Sequence, residues 1–177
     1  YSGAAEAAKY GAVAVIVRSM NLRLDDYPHT GEMSYGSLPI SKRIPAAAIS
    51  TNDAELLSSM ISLNPNLNFF LRQDCKNYPD VESYNVIGQS KGTDFPEKII
   101  LVGAHIDSWD LGDGAHDDGA GVVQCMEVLR LLKITNYKPK NTLRLVLFVN
   151  EENGGSGAKA YSEIISKKRE KHILALE

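Results

Sequence analysis

The run TLRLVLFVN (142–150) constrains this chain most, because its second half is apolar at nearly every position. A strand tolerates that pattern only when other layers cover both of its faces. KIILVGAH (98–105) and HILALE (172–177) have the same buried-strand character. Between the three runs lie GAGVVQCMEVLRLLK (119–133), apolar at 122, 125, 126, 129 and 132, and a second helical stretch over 156–168. Strands alternating with helices predict an α/β fold in which a mainly parallel or mixed sheet lies between helix layers.

The N-terminal part is a smaller α/β unit without a cluster of metal-ligand residues. Residues 3–10 are Ala-rich and helical, with Gly11 placed to stop the helix. AVAVIVR (12–18) and IPAAAIS (44–50) read as strands, and the Pro- and Gly-containing stretch 19–42 as loop. Asn52 followed by Glu55 is a capping signature that opens a helix, and LNFFLRQD (67–74) reads as a further strand. The polar segment DCKNYPD (74–80) is the expected boundary, dividing the chain into 1–75 and 76–177. After it, ESYNVIGQS (82–90) is predicted to be a strand neighbouring 98–105.

Composition removes several functional classes. A net charge of −3 with no basic block does not suit a nucleic-acid surface. No apolar run reaches the ~18 residues of a membrane span. The opening YSGAAEAAKYG lacks the charged start and cleavage site of a signal peptide and enters a helix already under way, so the chain is expected to be a piece of a longer protein. The two cysteines, Cys75 and Cys125, are too few for a disulfide framework and are expected to be buried free thiols.

Three short segments carry the chemistry: GAHIDS, GAHDDGAG and NEENGGSG. Open α/β sheets bind ligands at the carboxyl ends of their strands. His105 ends one predicted strand, Glu151 and Glu152 follow another, and Asp117 and Asp118 lie in the Gly-rich loop before the helix at 119. Singly, each is an ordinary solvated loop or capping residue; delivered together to one edge, they have the ligand chemistry of a hydrolytic metal site. A neutral imidazole binds zinc well when its other nitrogen is held, and Asp107 is near enough to His105 in sequence to do so or to orient another group. One aspartate can bridge two cations, while adjacent aspartates also suit a helix cap. Of the adjacent glutamates, one can bind metal while the other moves a proton. His116 would be crowded as a ligand, and His29 and His172 are not expected to be ligands. Trp109 and Asp110 are expected to line the pocket.

GAHIDSWDLGDGAHDDGAG followed by RLVLFVNEENGGSGA resembles the co-catalytic di-zinc exopeptidases of the aminopeptidase type, in particular the carboxypeptidase Q branch and its bacterial relatives. The similarity runs from about Val86 to Tyr161, and GAAEAAKYGAVAVIVRS, PHTGEMSYG and RIPAAAIS resemble part of that branch's protease-associated insert domain. The resemblance implies zinc, two ions in the intact protein. His105 would bind one, Asp117 would bridge both with its bond to Asp118 in the cis form, and Glu152 would bind the second. Glu151 would be the general base and Asp107 a catalytic-site carboxylate behind the ligands.

The resemblance also implies one further Asp soon after Glu177 and a later His, so this piece alone is expected to hold metal weakly and to be inactive. The implied substrates are dipeptides or short peptides, cleaved by zinc-activated water. The implied setting is extracytoplasmic (secreted, periplasmic or lysosomal), with a possible homodimer. Two alternatives stand beside it. One is a single-zinc glutaminyl cyclase-like acyltransferase, which a metal count of one would favour. The other is a non-catalytic receptor-like homologue, which the absence of zinc and of peptide cleavage would favour.

Overall fold

The computed structural model describes residues 2–29, 31–109 and 112–177. The chain divides into two compact units, Tyr1–Tyr78 and Pro79–Glu177, and the division falls within the polar segment 74–80.

The first unit contains helix α1 (Gly3–Lys9), strand β1 (Val15–Arg18), a short 3-10 turn (Ile40–Lys42), strand β2 (Ala46–Ile49) and helix α2 (Thr51–Leu63). The two strands pair in parallel, Val15 opposite Ala46 through Arg18 opposite Ile49. Gly11 follows α1 with φ +83°, a conformation that favours glycine, so the first helix stops where the sequence places its stop. Helix α2 is capped by Ser50, not by Asn52: the Ser50 hydroxyl accepts the Asp53 N–H at 3.0 Å.

Two further expectations for this part fail. Residues 67–74 form no strand among the described residues. An apolar run becomes a strand only when a neighbouring strand takes up its backbone groups. Here Phe70 is 87% exposed, and the tie to β2 is a side-chain one, Gln73 Nε2 donating to Ala46 O at 2.9 Å. Cys75, expected to be buried, is exposed in the same polar stretch, whereas Cys125 is buried.

The second unit is built on a four-stranded sheet. Its strands are β3 (Val86–Ser90), β4 (Phe95–His105), β5 (Asn141–Phe148) and β6 (Lys171–Leu176), with helices α3 (Gly119–Ile134) and α4 (Ser156–Lys168) between them. The spatial order is β3-β5-β4-β6. β4 runs parallel to both β5 and β6, and β3 is antiparallel to β5. The expectation that β3 neighbours β4 is therefore wrong: β5, formed later in the chain, lies between them.

From β4 the chain moves through α3 to one side and then through α4 back across to the other. Parallel crossovers of one hand that move in opposite directions put their helices on opposite faces. The core has that arrangement. Leu145 and Leu147 pack with Ala104 and Cys125 of α3, while Val146 and Phe148 pack with Leu101 and Tyr161 of α4. Successive β5 side chains thus alternate between two apolar clusters, which explains the continuous apolar run in the sequence. Tyr161 meets Phe148 edge-on at 5.9 Å between ring centres. No described helix is long and apolar enough to cross a membrane.

Candidate metal centre

Strand register builds the site. His105 pairs with Phe148 at the carboxyl ends of two parallel neighbours, so the segments that follow both strands emerge at one edge. Past the last pair, Ile106 N donates to Phe148 O at 2.8 Å. The third contribution is the turn before α3. There the Asp117–Asp118 peptide bond is cis.

Asp118 joins that turn to the sheet. One carboxylate oxygen accepts the Gly121 N–H at 3.0 Å as the helix cap, and the other accepts the His105 N–H at 3.1 Å. The carboxylate occupies the space a side chain at 121 would need, since a Cβ there would lie 2.2 Å from Asp118 Oδ1. Asp118 is thus committed to backbone groups, and Asp117, 69% exposed in its side chain, is the member of the pair that faces the site.

His105 is buried. Its Nδ1 lies 2.9 Å from the Asp107 carbonyl oxygen and its Nε2 lies 3.0 Å from Asp117 Oδ1. A carbonyl only accepts, so Nδ1 carries the hydrogen and the Nε2 position faces the acids. Burial alone would depress the imidazole pKa. The Asp107 carbonyl, the Asp117 hydrogen bond, and the charges of Glu151 and Asp118 outweigh it and hold the pKa above its ordinary value.

Asp107 also fixes the third segment. Its two carboxylate oxygens accept the Glu151 N–H at 3.0 Å and the Glu152 N–H at 3.1 Å. The neighbouring glutamates then diverge. Glu151 is half-exposed, with Oε2 3.9 Å from His105 Nε2. Glu152 turns inward, and its Oε1 is buried with no hydrogen-bond partner among the described residues. Burial, followed by the nearby Asp117 charge, pushes the Glu152 carboxyl above the usual carboxylate range, against the opposing pull of His105.

One donor atom from each of His105, Asp117 and Glu152 lies within 4.8 Å of the others. An imidazole, an exposed carboxylate and a buried carboxylate oxygen lacking a partner are a donor set that fits a divalent cation. A cation would relieve both the orphaned oxygen and the Asp117–Glu152 repulsion.

All five expected site residues, His105, Asp107, Asp117, Glu151 and Glu152, therefore meet at one strand-end edge. His116 is exposed and outside the cluster. His172 instead meets the Tyr161 hydroxyl at 2.8 Å, and His29 lies 3.7 Å from Asp25. Trp109 is partly exposed; Asp110 falls outside the described residues. Sequence reasoning missed Asn85, whose amide holds both ends of the segment carrying the glutamates. As a single neutral residue before a strand, it gave no local signal.

Residues 85–176, more than half of the chain, match the sequence pattern of Peptidase family M28. The chain belongs to Peptidase family M28. Carboxypeptidase Q of Xenopus laevis is 43% identical over 177 residues, covering 99% of this chain and 37% of that protein. Carboxypeptidase Q of Homo sapiens is 41% identical, with the same coverage of 99% and 37%. Aminopeptidase Y of Saccharomyces cerevisiae is 27% identical over 94% of this chain and 30% of its own length. Among solved structures, a peptidase M28 precursor from Shewanella amazonensis superposes with a TM-score of 0.78 at 36% identity, covering 98% of this chain and 39% of that one. The chain thus spans between 30% and 39% of the length of these relatives.

Proposed function

We propose that the polypeptide carrying this chain is a zinc-dependent metallo-exopeptidase that hydrolyses dipeptides or short peptides. The observation that carries this reading is the convergence of His105, Asp117 and Glu152 beside the half-exposed Glu151 carboxylate. Family membership and the names of the relatives support it.

In this reading His105 Nε2, Glu152 and the exposed Asp117 carboxylate would hold the metal. When bound, zinc supplies Lewis acidity toward the scissile carbonyl and toward water. The chain's own residues supply the rest. The Asp107 carbonyl holds the His105 ring with Nε2 toward the site. The Asp107 carboxylate fixes the backbone of both glutamates. Glu151, solvent-facing and free of any strong ion pair, takes a proton from water and delivers it to the departing amine. Residues 1–75 are read as part of a protease-associated insert domain, on their resemblance to that insert; the match to carboxypeptidase Q of Xenopus laevis extends over 99% of this chain.

The test is Glu151→Gln in the full polypeptide. General base catalysis contributes about 10²–10⁴-fold, so peptide turnover should fall by that factor while zinc content is unchanged. Near-normal turnover would show that Glu151 is not the base.

A further inference from the structure

Glu151 and Glu152 sit on a segment of unusual backbone. Asn150, Gly154 and Gly155 all have positive φ (61°, 114° and 68°). A segment of this kind keeps its shape only if its ends are held. The Asp107 carboxylate grips its middle, but its base closes elsewhere. Val149 N donates to Asn85 Oδ1 at 3.0 Å, and Asn85 Nδ2 donates to Gly157 O at 2.8 Å. Gly157 N in turn donates to Val149 O at 3.1 Å. Three hydrogen bonds form a closed ring, in which one primary amide acts as donor and acceptor at once.

The ring admits nothing larger. A Cβ on Gly157 would lie 2.3 Å from Val149 O, 2.5 Å from Asn85 Oδ1 and 2.8 Å from Val149 N. Two of those atoms are backbone and cannot swing away. Asn85 is anchored because it directly precedes β3, whose first pair is Val86 with Leu147 of β5. It therefore belongs to the rigid sheet, while the segment it closes does not.

We propose that Asn85 is a positioning residue for the metal centre: it clamps residues 149 and 157 and thereby sets Glu151 and Glu152 against His105 and Asp117. The proposal rests on the functional reading above for its consequence, but the clamp itself is a property of the metal-free chain. No other side-chain type of this size supplies both functions. Aspartate keeps the acceptor for Val149 N but sets a carboxylate oxygen against the Gly157 carbonyl, and alanine removes both bonds.

The experiment uses the full polypeptide with Asn85→Ala and Asn85→Asp, and with Gln89→Ala as a control. Gln89 spans the same strand pair, accepting from Arg144 Nε at 3.0 Å, without touching the 149–157 segment. Amide hydrogen exchange across 149–157 is read in metal-free protein, and zinc affinity is read by competition with a chelating dye.

Both Asn85 variants should exchange at least ~10-fold faster in that segment and bind zinc about 10–100-fold more weakly, the range for residues that orient metal ligands. The control should change neither, even if it lowers the melting temperature. In peptide hydrolysis, kcat should fall in the Asn85 variants more than KM rises. Unchanged exchange in the segment, or wild-type zinc affinity in a folded Asn85→Ala protein, overturns the proposal. If the unmutated polypeptide takes up no zinc, the functional reading fails instead, and the clamp stands or falls on the exchange data alone.

Discussion

Both units end a parallel strand at the start of a helix or turn, and both crowd polar side chains there, but they treat those groups in opposite ways. At the ends of β1 and β2, Ser19, Ser50 and Thr51 are buried and almost fully satisfied. Ser19 Oγ donates to Ile49 O at 2.7 Å and accepts the His29 N–H at 2.7 Å. Thr51 Oγ1 accepts the Asp25 N–H at 2.8 Å and donates to Arg23 O at 3.1 Å. One neutral amide oxygen, Asn21 Oδ1, has no hydrogen-bond partner among the described residues, although the same amide donates to Arg23 O and Asp25 Oδ2. At the ends of β4 and β5 the polar groups are mostly charged and of one sign. They leave a carboxylate oxygen orphaned and two acids facing solvent. Polar density alone does not mark a site; unspent coordinating capacity does.

The comparison is sharpest if the charged edge is dismantled. His105→Ala in the full polypeptide should abolish zinc uptake and peptide turnover, because it removes the one imidazole of the cluster; retained stoichiometric zinc would show that the cluster is not the metal centre. A smaller effect is expected at Glu152 in metal-free protein. Its pKa is raised above the ordinary glutamate value of 4.5, so its contribution to stability is complete below that value and is lost as pH rises through the higher folded value. Glu152→Gln should therefore raise the melting temperature of the metal-free protein at neutral pH. It should also flatten the loss of stability on the alkaline side of that titration. With zinc present the sign should reverse, since the wild-type carboxylate then has its cation. The smallest effect belongs to the satisfied edge. Ser50→Ala removes a helix cap and should cost about 0.5–2 kcal/mol in chemical denaturation, with zinc affinity unchanged.

What the sequence reveals follows the same divide. The buried strands β4 and β5, the helix at 156–168 and the acids at the strand ends were legible because each is a local pattern; β6 forms where 172–177 predicts a strand, but it lies at the edge of the four-stranded sheet and its apolar side chains, expected to be buried, are largely exposed. The order of strands was not, because β5 slips between β3 and β4 through pairings that no window of sequence contains. Residues 67–74 have a strand's composition but no partner strand among the described residues. Ser50 and Asn52 are both good capping residues, and the end of β2, not residue type, decides between them. Asp118 was legible as one of a pair, while its division of labour with Asp117 needed the His105 amide. Asn85 was invisible because its partners lie 64 and 72 residues away.

The parallel pairing of His105 with Phe148 also sets a tolerance. Sliding β5 by one residue along β4 would carry the glutamate segment about 3.3 Å and turn every β5 side chain to the wrong helix. The two apolar clusters forbid that slide, so the hydrocarbon interior works as the gauge that spaces the polar edge. Substitutions at Val146 or Leu147, which carry no charge and bind no metal themselves, would then blur the chemistry of the edge as well as loosen the core.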